Sequence, residues 1–221
     1  MPPTPLRPEF FRRIDDSNDE LFYLAPRFVV HIDDGAIKTV EKIYLDRLPQ
    51  AGAILDLMSS WRSHLAPELK PLRVIGLGLN RAEMKDNPAL SEIVVHDLNR
   101  APRLPFDAES FDGAVLTVSV QYLIHPIEVF SEVGRTLKPG APLIVAFSNR
   151  MFPTKAVAIW TQATDQQRVD LVNYYFTGSA AFEKIEMIDR AAGEGDPIWA
   201  VLGYRKETPG RPTGSCAGSS E

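Results

Sequence analysis

Apolar residues in this chain gather into short runs separated by stretches with helical spacing. The run Ala53-Ile54-Leu55-Asp56-Leu57 closes on Met58-Ser59-Ser60-Trp61. So short a run reads as a buried strand, and the small polar residues after it predict a tight turn into a helix over 61–69. Runs at 73–78, 92–96, 111–118 and 142–148 predict four more strands. Between them, a short helix from Arg81 stops before Pro88, and a longer one turns Ile127, Phe130, Val133 and Leu137 inward. Lys138-Pro139-Gly140 ends the longer helix, because proline cannot extend it and glycine accepts the left-handed conformation. Nearer the start, Ile37, Val40, Tyr44 and Leu48 share one face of a helix that Asp33 or Asp34 caps and Pro49 ends.

Strand and helix alternate as far as 148, which predicts parallel strands with right-handed crossovers. Beyond Asn149 come two helical stretches (155–160 and 165–176), then strands at 182–188 and 198–204. The turn between those strands, Gly193 to Pro197, is too short for a crossover helix, so the last strand should run antiparallel. The expected fold class is α/β: a doubly wound seven-stranded sheet, mostly parallel with an antiparallel last strand. Residues 1–20 are expected to be an irregular arm and 21–206 a single domain opened by a helical lid over 21–49. Residues 207–221, rich in Gly, Ser and Pro, are expected to be a disordered tail.

A length of 221 residues with 44% hydrophobic content suits one sizeable core. The net charge of -5 lacks the basic clustering that phosphate backbones demand, so the expected partner is a small molecule and not a nucleic acid. The single cysteine, Cys216, permits no intrachain disulfide or thiolate metal cluster. With no basic-then-apolar leader and no membrane-length apolar run, the expectation is a soluble cytoplasmic protein.

Two stretches carry a family resemblance. Leu104-Pro105-Phe106-Asp107-Ala108-Glu109-Ser110-Phe111-Asp112 resembles the loop into the fourth strand of the class I S-adenosylmethionine-dependent methyltransferases. Glu132-Val133-Gly134-Arg135-Thr136-Leu137-Lys138-Pro139-Gly140 resembles that family's helix and turn before the fifth strand, in the type 11-like branch that acts mostly on small molecules. The resemblance spans about 50–206 and implies a Rossmann-like methyltransferase using S-adenosyl-L-methionine on a small acceptor. By position it implies cofactor contacts from Asp56, Met58, Ser59, Ser60, Trp61, Asn80, Asp97, Leu98, Ser119 and Gln121.

The chain departs from that pattern twice. The first-strand turn has no glycine, so the hydroxyls of Ser59 and Ser60 are expected to meet the cofactor carboxylate while Trp61 covers the ligand. Gly78 stands where the family commonly carries a ribose-binding acid, leaving Asn80 as substitute. Asp97, with the Leu98 backbone, is expected at the adenine. Ile75-Gly76-Leu77-Gly78-Leu79-Asn80-Arg81 also begins like a dinucleotide fingerprint but lacks its third glycine, which makes an NAD-binding oxidoreductase an alternative. The expected catalytic group is His31, Asp33, Tyr122 and Asn149, with His31 as base, Asp33 or Asp34 orienting it, and Arg150 meeting any substrate anion. His64, His96 and His125 lie on different elements, and no metal site is expected. A non-catalytic binding protein is the other alternative, in which Phe10, Phe11, Phe22, Tyr23 and Phe28 would face outward.

Overall fold

The apolar runs form strands β1 (Ala53–Leu57), β2 (Arg73–Gly78), β3 (Glu92–Val95), β4 (Gly113–Thr117) and β5 (Pro142–Phe147). With β6 (Phe182–Asp189) and β7 (Trp199–Arg205) they make one seven-stranded sheet of order β3-β2-β1-β4-β5-β7-β6. This is a computed structural model that describes residues 6–190 and 195–207; the expected tail beyond 207 and Gly193 and Glu194 of the expected turn lie outside the described residues. β1 to β5 pair in parallel, and β7 runs antiparallel to both β5 and β6. Burial explains why β7 sits inside β6: Trp199 to Gly203 are buried without interruption, whereas β6 alternates as an edge strand does.

Among the described residues six α-helices complete the fold: α1 (Asp19–Phe22), α2 (Asp34–Arg47), α3 (Arg81–Lys85), α4 (Pro126–Thr136), α5 (Ala158–Gln162) and α6 (Asp165–Ser179). Alternate strand residues feed two cores. Leu55, Leu116 and Val145 pack with Phe130 of α4 and Phe176 of α6, while Ile54, Val115 and Ile144 pack with Val40 and Tyr44 of α2. Asp33 caps α2 by accepting the Ala36 N–H at 2.8 Å. No helix among the described residues is long and apolar enough to cross a membrane.

Two expectations need correction. Residues 61–69 are not helical. Instead Ser59 and Ser63 donate their hydroxyls to Asp56, each at 2.6 Å, and Ser59 N–H bonds the Leu77 carbonyl at 2.8 Å. Side chains that capture a strand residue in this way compete directly with helix formation. The lid is helical only at the end of α1 and over α2, and residues 24–33 cross the carboxyl ends of the strands without regular structure. Pro26 and the β-branched Val29, Val30 and Ile32 disfavour a helix there.

The arm lacks long elements, yet it is anchored. Lys155, fully buried, lies 3.2 Å from both Asp15 and Asp19 and donates to the Ser17 carbonyl at 2.8 Å. Arg13 donates to both Asp19 oxygens at 2.8 Å. Burial alone would raise the Asp19 pKa, but Asn99, Arg13 and Lys155 together hold it below the usual carboxylate range. Buried charges persist only with such partners.

Candidate functional site

The ends of β1, β2 and β4 and the segments crossing them enclose a cavity of about 290 Å3, near the lower end of small-molecule sites (roughly 300–1,000 Å3). Its floor is the β1–β2 loop. Asp56 is 3% exposed and accepts from Ser59 and Ser63, while Asn87 donates to the Ser63 hydroxyl and the Ser60 carbonyl, each at 2.9 Å. Burial pushes the Asp56 carboxyl up to about 6 although the two serine hydroxyls favour its charged form. This side-chain network holds the loop where a glycine-rich backbone was absent.

The loop leaves no space for a side chain at Gly78. A Cβ there would fall 2.2 Å from the Ser59 carbonyl oxygen. Gly76 is confined less rigidly, its hypothetical Cβ meeting the movable end of the Leu90 side chain at 2.5 Å. Both glycines lie within β2 and serve packing, and α3 is a single short turn, so neither half of a dinucleotide fingerprint is present.

Of the expected cofactor residues, Asp56, Met58, Ser59, Ser60, Trp61, Asn80, Asp97, Leu98 and Ser119 line the cavity. Their roles differ from the expected ones in several places. The Asn80 amide is fully engaged: its oxygen caps α3 at Ala82 and Glu83, and its nitrogen donates to the Tyr23 and Leu24 carbonyls. Ser60 donates to Glu83 at 2.6 Å, and Trp61 donates to the Val29 carbonyl at 2.8 Å. Asp97 caps a turn with one oxygen, accepting from Asn99 and Arg100 N–H. The Ser119 hydroxyl is buried and has no partner. Gln121 is absent from the wall: it turns inward and donates to the Val118 and Arg150 carbonyls.

The expected catalytic group is divided. His31 and Tyr122 face the cavity, but Asp33 and Asn149 do not. Asp33 is committed to the α2 cap and to the Asp196 N–H at 2.6 Å, so it cannot orient His31. The His31 ring lies edge-on to Phe152 with centroids 5.0 Å apart; partial burial lowers its pKa, Glu83 opposing and Arg27 assisting. Tyr122 accepts the Phe152 N–H at 2.9 Å. Arg150 lines the cavity but is paired to Asp196 at 2.6 Å. Phe22 packs on Phe152 and Tyr23 lines the cavity, so these aromatics close over the site; Phe28 packs on Trp61 yet stays half exposed.

Among the cavity residues that escaped the sequence reading, two bear on the chemistry. Glu83, 6% exposed, joins three segments by accepting from Ser60 and from the Arg27 N–H at 2.7 Å. The spacing Asn80-x-x-Glu83 signals it, since a cap and the third helical residue lie together at a helix start. Arg27 is the second, the one cation within the aromatic stretch from Phe22 to Phe28.

A methyltransferase-domain family model matches residues 63–145, from the β1–β2 loop through most of β5. The fold is that of the class I S-adenosylmethionine-dependent methyltransferases. A methyltransferase from Thermotoga maritima shares it at a TM-score of 0.57 and 18% identity, over 78% of this chain and 89% of that one. Phosphoethanolamine N-methyltransferase 2 of Haemonchus contortus, solved with S-adenosyl-L-methionine, shares it at 0.55 and 12%, over 79% of this chain and 53% of that one. In sequence, 63 residues are 41% identical to the biotin biosynthesis bifunctional protein BioHC of Teredinibacter turnerae, covering 28% of this chain and 11% of that protein. The matched segment is of the type 11 methyltransferase kind, and the chain spans about a tenth of the length of the curated relative it matches.

Proposed function

We propose that this chain transfers a methyl group from S-adenosylmethionine to a small-molecule acceptor, using the Ser-Ser-Trp loop in place of a glycine-rich turn. The distribution of backbone strain carries the reading. Six non-glycine residues among those described have φ between 46° and 57°, and three of them, Met58, His64 and Val118, line the cavity. Such conformations cost on the order of 1–3 kcal/mol each, and they persist where a site needs them. For the β-branched Val118 the outlier is especially unfavourable.

The bound cofactor supplies an already electrophilic methyl group, so the chain's work is to hold the acceptor in line and keep water out. Asp97 keeps one carboxylate oxygen for the adenine amino group. Glu83 replaces the acid that Gly78 cannot be, since each of its oxygens accepts only one protein hydrogen bond and retains a lone pair for a ribose hydroxyl. Ser119 offers an unused hydroxyl. Tyr23, Tyr122 and Phe152 form an apolar wall around the acceptor, and His31, whose pKa partial burial lowers, is the group to take its proton.

Calorimetry with S-adenosylmethionine and S-adenosylhomocysteine, with NAD as control, tests this reading. Asp97→Ala and Glu83→Gln should each weaken binding by about 10- to 100-fold, the range of a hydrogen bond to a charged group. No heat from either sulfur ligand up to millimolar concentration would end the enzyme reading and direct attention to protein partners.

A further inference from the structure

Four arginines line the cavity, and three are occupied. Arg13 pairs with Asp19 at 2.8 Å, Arg150 with Asp196 at 2.6 Å, and Arg62 lies 3.9 Å from Asp86 while stacking on Trp61. Arg27 differs. No carboxylate among the described residues lies within ion-pair distance of its guanidinium, and its Nη1 is buried without a hydrogen-bond partner; Arg13 also leaves its Nε unbonded, but its charge is met by Asp19. Glu83, the nearby acid, bonds the Arg27 backbone N–H and not the side chain.

The guanidinium is nevertheless held in place. Its Nη2 donates to the Phe22 carbonyl at 2.8 Å. Its carbon lies 4.6 Å from the centre of the Phe22 ring, 5.5 Å from Phe152 and 5.6 Å from Tyr23. Aromatic faces stabilise a cation without consuming its N–H donors. A buried donor left open on a fixed, low-polarity wall is a costly arrangement unless a ligand completes it. The matching group is planar or tetrahedral, anionic and rich in acceptors.

We infer that Arg27 is the cavity's anion receptor and takes a carboxylate or phosphate group through Nη1. The inference rests on the methyl-transfer reading for its location and narrows it to ligands that carry such an anion. Arg27 touches both Phe152, which follows β5, and Glu83, the proposed ribose acid, so the receptor lies between the cofactor and acceptor sides of the cavity. Two sources remain for the anion, the cofactor's own carboxylate and one on the acceptor.

The test measures binding of S-adenosylhomocysteine, and of methylthioadenosine, which lacks the amino acid portion, to wild type, Arg27→Gln and Arg27→Lys. The aromatic wall selects the other probes: benzoate and phenyl phosphate against neutral benzamide, with and without saturating S-adenosylhomocysteine. If the cofactor is the source, Arg27→Gln loses about 10- to 100-fold for S-adenosylhomocysteine and nothing for methylthioadenosine. If the acceptor is the source, both nucleosides bind unchanged and the anionic probes lose that factor while benzamide does not. Arg27→Lys, which keeps the charge without the fork, should recover part of either loss. Unchanged affinity of Arg27→Gln for S-adenosylhomocysteine and for both anions overturns the receptor while the methyl-transfer reading stands. Should wild type bind no S-adenosylhomocysteine, that reading falls, and the receptor is then judged on benzoate and phenyl phosphate with the ligand-free protein, where equal binding to wild type and Arg27→Gln overturns it.

Discussion

Along the carboxyl edge of the sheet, the β1–β2 side of the cavity is a glycine-free loop held by the buried carboxylate of Asp56 with Ser59, Ser63 and Asn87, whereas the β3–β5 side combines backbone turns with the neutral side chains of Asn99, Gln121 and Tyr122. After β3, Asp97 caps a local turn; after β4, residues 120–122 make one turn of 3-10 helix directly behind Ser119. The family model matches both sides, from residue 63 to residue 145. A wall that shares its bonds between backbone turns and several neutral side chains tolerates the loss of any one of them. A wall built from a buried carboxylate and hydroxyls concentrates stability in a few atoms.

Four perturbations should separate the two sides. The largest effect is expected from Asp56→Ala, which strands two buried serine hydroxyls and opens a void, lowering stability by about 3 kcal/mol in denaturant titrations. Gly78→Ala should follow at about 1–3 kcal/mol, because the new methyl group meets the Ser59 carbonyl and the loop must move. An equal loss from Asp97→Ala would erase the contrast between the sides.

Stability against pH resolves two groups on the β1–β2 wall. Burial raises the Asp56 pKa to about 6, so between about pH 4 and 6 the native protein holds a proton that the unfolded chain releases, and stability falls as pH rises through that window. His64 runs the other way. Burial, helped by Arg62 and His31, lowers its pKa to about 4, so stability is lost as pH falls from about 6.5 to 4. The two slopes partly cancel in wild type. Thermal melts should show Asp56→Asn steepening the net acid-side loss and His64→Gln leaving a decline toward neutral pH. The smallest effect is expected from Ser119→Ala, on the other side: removing an unpaired buried hydroxyl should change stability by less than about 1 kcal/mol, while calorimetry shows weaker cofactor binding.

Much of the fold was legible because it depends on periodicity, and the strand runs and the faces of α2 and α4 repeat at the intervals their partners require. The helix expected over 61–69 failed because Ser59 and Ser63 bond a carboxylate three and seven residues back on β1, and Asn87 holds Ser63 from 24 residues ahead. The site was less legible than the fold. Asp97 and Ser119 line the cavity because strand ends bring residues to one edge. Gln121 and Asn149 shared that logic, but the turns after their strands lead them away from the cavity. Glu83 and Arg27 meet across 56 positions, a distance that no local pattern spans.

The contact between Ser59 and Gly78 also bears on how this sequence can change. With the Ser59 carbonyl where a Cβ at 78 would stand, an acid cannot enter the end of β2 by one substitution; the loop has to be displaced first. Equally, the loop could settle there only once position 78 carried no side chain. The two positions are therefore epistatic, and grafting either one alone into a relative with the opposite arrangement should yield a misfit protein, whereas the paired exchange should be accepted.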